Sequence, residues 1–129
     1  MKFIKLWLLP VMWAALIFYL SSIPNLGTSL SCDFVLRKMA HIVEYFALTL
    51  LLWIAFKGSF GMNTVSLFIC PALVSFLYAA LDEFHQSFVP TRSGNIHDVL
   101  IDSIGIISFY IVLQIFAAIQ KAKQRKQSH

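Results

Sequence analysis

Four apolar runs, at approximately 4–23, 39–57, 64–84 and 99–119, take up most of the 129 residues of this chain. A hydrocarbon core about 30 Å thick takes ~20 mostly apolar residues to cross as a helix, and each run has about that length. Inside a bilayer only helices and closed barrels satisfy their own backbone hydrogen bonds. The expected fold is therefore all-α: an integral membrane four-helix bundle in which residues 1–129 form a single transmembrane domain. Charged residues are 12% of the sequence and hydrophobic ones 59%, whereas soluble domains average about 25% charged. The links are short enough to make successive spans antiparallel neighbours.

Charge is unevenly distributed along this frame. Asp33, Glu44, Asp82, Glu83, Asp98 and Asp102, the 6 acidic residues, all fall at one end of the spans. Lys2, Lys5, Lys57, Lys121, Lys123, Arg125 and Lys126 fall at the other, leaving only Arg37, Lys38 and Arg92 with the acids. Basic residues flanking spans are retained on the cytoplasmic side, so both termini are expected inside and the acidic end outside. The basic flanks are suited to anionic lipid headgroups, and nothing in them points to nucleic acid. The first run has a basic start like a signal peptide, but no small-x-small cleavage site follows. Ser21-Ser22-Ile23-Pro24-Asn25 reads as a helix end, so the run is expected to be a retained span. Pro10 and Pro71 lie inside spans and predict local kinks. Cys32 and Cys70 are placed on the order of 20 Å apart, too far for a disulfide.

Polar residues interrupt the apolar pattern on definite helix faces. At about 100° per residue, Lys38, His41, Tyr45 and Leu48 share an arc of ~80°, with Glu44 at its edge. Tyr78, Asp82, His85 and Gln86 share a face of the third span, while Glu83 points further round. Asp98, Asp102 and Gly105 line the fourth. Glu44 lies about 9 Å along its helix from Lys38, and Asp102 about 6 Å from Asp98, so both dip below the headgroups. Ionisable groups at that depth face the bundle interior and find partners. One reading is a network that fixes helix register, with Lys38 or Arg92 against Asp82, Asp98 or Asp102, and His41 and Tyr45 capping lone pairs. The other is a functional site.

In the link from Ser87 to Asp98, Pro90 stops the third helix, Gly94-Asn95 is a turn signal and Asp98 is positioned to cap the fourth helix. Arg92 is the sole basic side chain of that link. It either pairs with the neighbouring acids or presents its planar fork to an anionic ligand.

The combination K-x-x-H-x-x-x-Y-x-x-L at Lys38, His41, Tyr45 and Leu48, D-E-x-x-Q at Asp82, Glu83 and Gln86, P-x-R at Pro90 and Arg92, and D-x-x-x-D with a nearby glycine at Asp98, Asp102 and Gly105 resembles the VanZ-like membrane proteins. The likeness spans roughly Ser22 to Gly105. Thr91 stands where that family often has glycine in a P-G-R turn, and Phe109 where a second glycine often closes the fourth-span motif. His85 is outside the pattern. The resemblance implies a small multi-pass protein of the bacterial cell membrane, and a role in the cell envelope or in low-level resistance to teicoplanin-type lipoglycopeptides.

Three functions remain open at this level, all centred on Lys38, His41, Glu44, Tyr45, Asp82, Glu83, His85, Gln86, Arg92, Asp98 and Asp102. The first is a binding or shielding protein for an amphiphile at the outer leaflet, either a lipid-linked precursor or a lipopeptide. Six acids against three basic residues leave about −3 there, which favours amines or metal ions. The second is an intramembrane hydrolase or transferase acting on a lipid-linked substrate. In it His41 and His85 serve as general acid or base, oriented by Asp82, Asp98 or Glu44, with Arg92 and Lys38 stabilising an oxyanion. A metal version would use His41, His85 and two carboxylates, a set suited to zinc or manganese, although the chain has no H-E-x-x-H. The third is a transporter or proton-coupled channel, for which only Gln114 and Ser66 would continue a relay into the other leaflet.

Overall fold

The computed structural model describes residues 2–24, 33–92 and 94–127. Asn25, Cys32 and Ser93 are outside the described residues, as are the side chains of Lys2, Asp33 and Phe34. Four helices follow one another: α1 (Lys2–Ser21), α2 (Asp33–Ser59), α3 (Thr64–Gln86) and α4 (Ile96–Gln127). All four are long and apolar enough to cross a membrane, and no strand occurs among the described residues. Two extend beyond the apolar runs. α2 starts at Asp33 rather than near 39, so Arg37 and Lys38 are helical, and α4 continues past 119 to Gln127. Hydropathy marks where lipid stops, whereas a helix continues as long as its own hydrogen bonds do. At 1.5 Å per residue the 32 residues of α4 reach about 48 Å, well beyond a 30 Å core. Its last turn carries Arg125 and Lys126, which complement the helix dipole.

α2 is the central element, packed on all three others, while α1 and α4 do not meet among the described residues. The C-terminal end of α1, the N-terminal end of α2 and the turn that leaves α3 share one end of the bundle, opposite the 60–63 link, the start of α1 and the end of α4. Asn63 caps α3 by accepting from the Ser66 amide at 2.8 Å. Asn95, not Asp98, occupies the start of α4: its side-chain oxygen accepts from the His97 amide at 3.1 Å. Asp98 falls within the first helical turn, where its carboxylate still favours the dipole. Pro10 and Pro71 lie inside α1 and α3, both buried, and both helices run through them.

The interior is small. Ile17, Tyr45, Leu48, Leu52, Ala79, Val99, Ile106, Phe109 and Tyr110 form it, while residues such as Val11, Met39, Val43, Leu81, Phe84 and Ile107 face outward. Lipid tails are as apolar as leucine, so helices in a bilayer associate through close packing and interhelical hydrogen bonds instead of hydrophobic burial. Both are present. Trp13 Nε1 donates to the Glu44 carbonyl at 3.0 Å, Tyr78 Oη to the Ala14 carbonyl at 2.6 Å, and Tyr110 Oη to the Phe68 carbonyl at 2.6 Å. Thr49 donates to Ser75 Oγ at 2.9 Å in the buried α2–α3 seam. Gly105 lies directly against the Ile42 carbonyl and the Phe46 amide, the close approach of α4 to α2. One turn on, Phe109 fills its place with aromatic contacts to Phe46 and Trp53, with centroids 5.9 and 6.2 Å away.

Candidate functional site

The end of the bundle where α1 ends and α2 begins holds the polar network. α1 brings the Ser21 side chain and the Leu20 carbonyl. α2 brings Arg37, Lys38, His41, Glu44 and Tyr45, and α3 brings Asp82, Glu83 and Gln86. The link supplies Arg92 and the Asn95 amide, and α4 adds Asp98 and Asp102. The helical spacing of each stripe places its members on one inward face, and antiparallel packing sets the stripes at one level.

Two layers are distinguishable by depth. The outer layer is half-exposed and mostly basic: Lys38 pairs with Asp98, and Arg37 and Arg92 stand nearby. The inner layer is buried and acidic. Asp82 accepts from Ser21 Oγ at 2.8 Å and from Gln86 Nε2 at 2.9 Å through the same oxygen, Oδ2. Glu83 Oε2 accepts from the Asn95 amide at 3.1 Å, and Oε1 is 3.3 Å from Gln86 Nε2. Asp102, wholly buried, has Oδ1 3.1 Å from His41 Nδ1. Three atoms in this layer are buried without a hydrogen-bond partner: Asp102 Oδ2, Asp82 Oδ1 and the Tyr45 hydroxyl. Tyr45 therefore caps no lone pair, contrary to the sequence expectation.

Arg92 bonds to no carboxylate among the described residues. Its Nη2 donates to the Leu20 carbonyl at 3.0 Å, Nε to the Ile23 carbonyl at 3.2 Å and Nη1 to Gln86 Oε1 at 3.2 Å. It thus adds a donor to the Leu20 carbonyl in the last turn of α1, which also accepts from the Ile23 amide at 3.4 Å, and satisfies the Ile23 carbonyl just beyond that helix, and it connects through Gln86 to the acids below. Ser21 is the member the sequence reading missed. It was read only as part of a helix end, although its position at the same depth as Asp82 was the available signal. His85 stands apart from His41: its Nε2 is 3.0 Å from Ser22 Oγ, and its ring stacks on Phe18 at 4.4 Å.

A cavity of about 250 Å³ opens on this arrangement, lined by Arg37, Lys38, His41, Gln86, Thr91, Arg92 and Asp98. A second, of about 170 Å³, is bounded by Leu20, Ser21, Arg37, Ala40, His41, Glu44 and Arg92. His41, Arg37 and Arg92 belong to both. Depth divides the described acids: Asp82, Glu83 and Asp102 are buried, whereas Asp98 shares the first cavity wall with Arg37, Lys38 and Arg92, and Glu44 borders the second. The His41 ring, held by Asp102 and lining both cavities, has the form of a general-base dyad.

The family profile described as VanZ/LLP1 matches residues 3–117. The chain belongs to the VanZ/LLP1 family. It is also 33% identical over 118 residues to the uncharacterized membrane protein YwnJ of Bacillus subtilis (strain 168), which covers 85% of this chain and 73% of the relative. No solved structure matches it. Thr91, in the place where VanZ-like proteins often carry glycine, has φ = 71°, in the left-handed region that penalises a β-branched residue. That conformation costs roughly 1–2 kcal/mol, against about 0.5–1 kcal/mol for the extra entropy glycine loses on folding. Thr91→Gly is expected to stabilise the chain by about 1 kcal/mol, read as a rise in thermal midpoint in detergent; an unchanged or lower midpoint would contradict the strain argument.

Proposed function

We propose that this VanZ/LLP1 protein binds the anionic headgroup of an amphiphile where its cavity opens at the outer face of the cell membrane. The observation that carries this reading is the cavity wall: Arg37, Lys38, His41 and Arg92 line it, with Asp98 as its one carboxylate. Drug-sized ligands occupy roughly 300–1,000 Å³, so a cavity of 250 Å³ suits a phosphate-bearing headgroup and excludes the body of a glycopeptide. The tail would lie along the outward apolar faces of α2 and α3 and the turn after α3, where Val35, Met39, Phe84 and Phe88 are exposed. The outer placement rests on the seven basic residues at the opposite end of the chain. Amines, favoured by net charge alone, are disfavoured because Asp82, Glu83 and Asp102 are buried beneath the wall and Asp98 is paired with Lys38. Sequestering or masking a lipid-linked envelope precursor is how such a protein would lower susceptibility to teicoplanin-type lipoglycopeptides.

The test compares short-chain phosphatidic acid with the diacylglycerol of the same tails, using thermal shift of the purified protein. A ligand that binds only the folded state raises the midpoint with concentration. Phosphatidic acid is expected to do so and diacylglycerol not. Arg37→Gln, which removes an exposed wall cation, is expected to weaken binding about tenfold, measured against the variant's own ligand-free midpoint. Equal shifts with both lipids would remove the headgroup reading. A second reading, a hydrolase or transferase acting on a lipid-linked substrate, is favoured by the 3.1 Å contact between His41 and Asp102 beside the cavity. Release of headgroup or phosphate from the bound lipid, lost in His41→Ala, would establish it.

A further inference from the structure

We propose that His41, Glu83 and Asp102 form a divalent metal site beneath the cavity, suited to zinc or manganese. One potential ligand atom from each lies within 4.8 Å of the others. The three side chains come from α2, α3 and α4, so the site joins the three helices that pack on one another at this end.

A cluster of acids alone would not justify an ion. The further observation is the unpartnered oxygen. Asp102 is fully buried and its Oδ2 has no donor, while the Tyr45 hydroxyl, also fully buried, has none either. Tyr45 lies one helical turn below His41 on the same face of α2. Buried charges in proteins are paired or coordinate metals. Here Asp82, Glu83 and Asp102 are buried in the inner layer, yet among the described residues the basic side chain in direct contact with their carboxylates is His41. Arg92 is occupied by two carbonyls and Gln86. A dication supplies the missing positive charge and gives Asp102 Oδ2 a partner.

Glu83 is free to take part. Gln86 Nε2 carries two hydrogens but has three acceptors within reach, and its contact with Glu83 Oε1 is longer than that with Asp82. A carboxylate can also keep the Asn95 amide on Oε2 while it ligates. One imidazole and two carboxylates make a nitrogen and oxygen set that suits zinc or manganese and not the thiophilic ions. Three protein ligands leave at least one position for water or substrate, and His41 already lines both cavities. His85, the second histidine expected from sequence, is excluded by its place on Ser22 and Phe18.

The site is tested with metal alone, so failure of the headgroup reading does not affect the result. The tag-free full chain is purified in detergent, stripped with chelator, and titrated separately with zinc chloride and manganese chloride. Bound metal per chain is measured by elemental analysis after gel filtration. About one equivalent of at least one of the two ions is expected per wild-type chain. Asp102→Asn and Glu83→Gln, near-isosteric changes, are expected to weaken binding at least tenfold, and His85→Ala to leave it unchanged. X-ray absorption should show only nitrogen and oxygen ligands, at about 2.0–2.2 Å if zinc is bound. Absence of stoichiometric uptake by the wild type would overturn the proposal whatever the folding of the variants. So would unchanged affinity in folded Asp102→Asn, or a sulfur ligand at the bound ion.

Discussion

Gly105→Ala is expected to lower the stability of the bundle by about 2–3 kcal/mol, the upper part of the range for overpacking a well-filled contact, and Gly105→Val by more. A Cβ at this position runs into the Ile42 carbonyl and sits 3.0 Å from the Phe46 amide. Both are backbone atoms of a helix, so no rotamer relieves the collision and α4 must move off α2. The displacement reaches the site directly, because Asp102 lies one turn before Gly105 and His41 is adjacent to Ile42. Loss of the cavity should accompany loss of stability. Two controls set the scale. Gly61→Ala meets nothing within 4 Å and should stay within about 0.5 kcal/mol. Gly58→Ala meets only the Leu6 side chain, at 2.7 Å from Cδ1, which can rotate away. Thermal midpoints of the three variants in one detergent decide the matter; equal shifts for Gly105→Ala and Gly58→Ala would contradict the close contact.

Arg92→Ala is expected to cost about 3 kcal/mol and to uncouple the 87–95 link from α1. The guanidinium donates to the Leu20 and Ile23 carbonyls and to Gln86 Oε1, and hydrogen bonds to charged groups contribute about 1.5–3 kcal/mol each in favourable cases. Its half-buried position reduces the sum, since water reaches some of the abandoned acceptors. Arg92→Lys keeps the charge but not the planar fork, so it should recover less than half of the loss. Full recovery by lysine would show that charge alone matters at this position. The same residue lines the cavity, so ligand assays on it must be corrected for folded fraction.

Much of the fold was legible because hydropathy reports directly on the solvent. Four apolar runs separated by short polar links leave an all-α membrane bundle as the simplest arrangement, and helical periodicity correctly grouped Lys38 with His41, Asp82 with Gln86, and Asp98 with Asp102. Helix ends were less legible. The added turns before residue 39 and after 119 are polar, and hydropathy is silent on helix outside lipid. Asn95 rather than Asp98 begins α4 for a related reason: several residues near a helix start can accept an amide, and the turn geometry decides which one does.

Within the site, sequence could name participants but not pairings. The three stripes have several ways to satisfy one another, and only the relative rotation of α2, α3 and α4 chooses Lys38 with Asp98 and His41 with Asp102. Arg92 illustrates the limit, since two of its partners are the backbone carbonyls of Leu20 and Ile23, about seventy residues away in sequence, and backbone carbonyls leave no trace in residue identity. Composition and periodicity, which act through solvent and local geometry, determined the four membrane helices and the residues on their polar faces. Tertiary packing alone decided that Asp82, Glu83 and Asp102 lie beneath a basic wall, that His85 stands apart from His41, and that Asp102 carries an unanswered oxygen, because depth and partner depend on helix rotations that long-range contacts set.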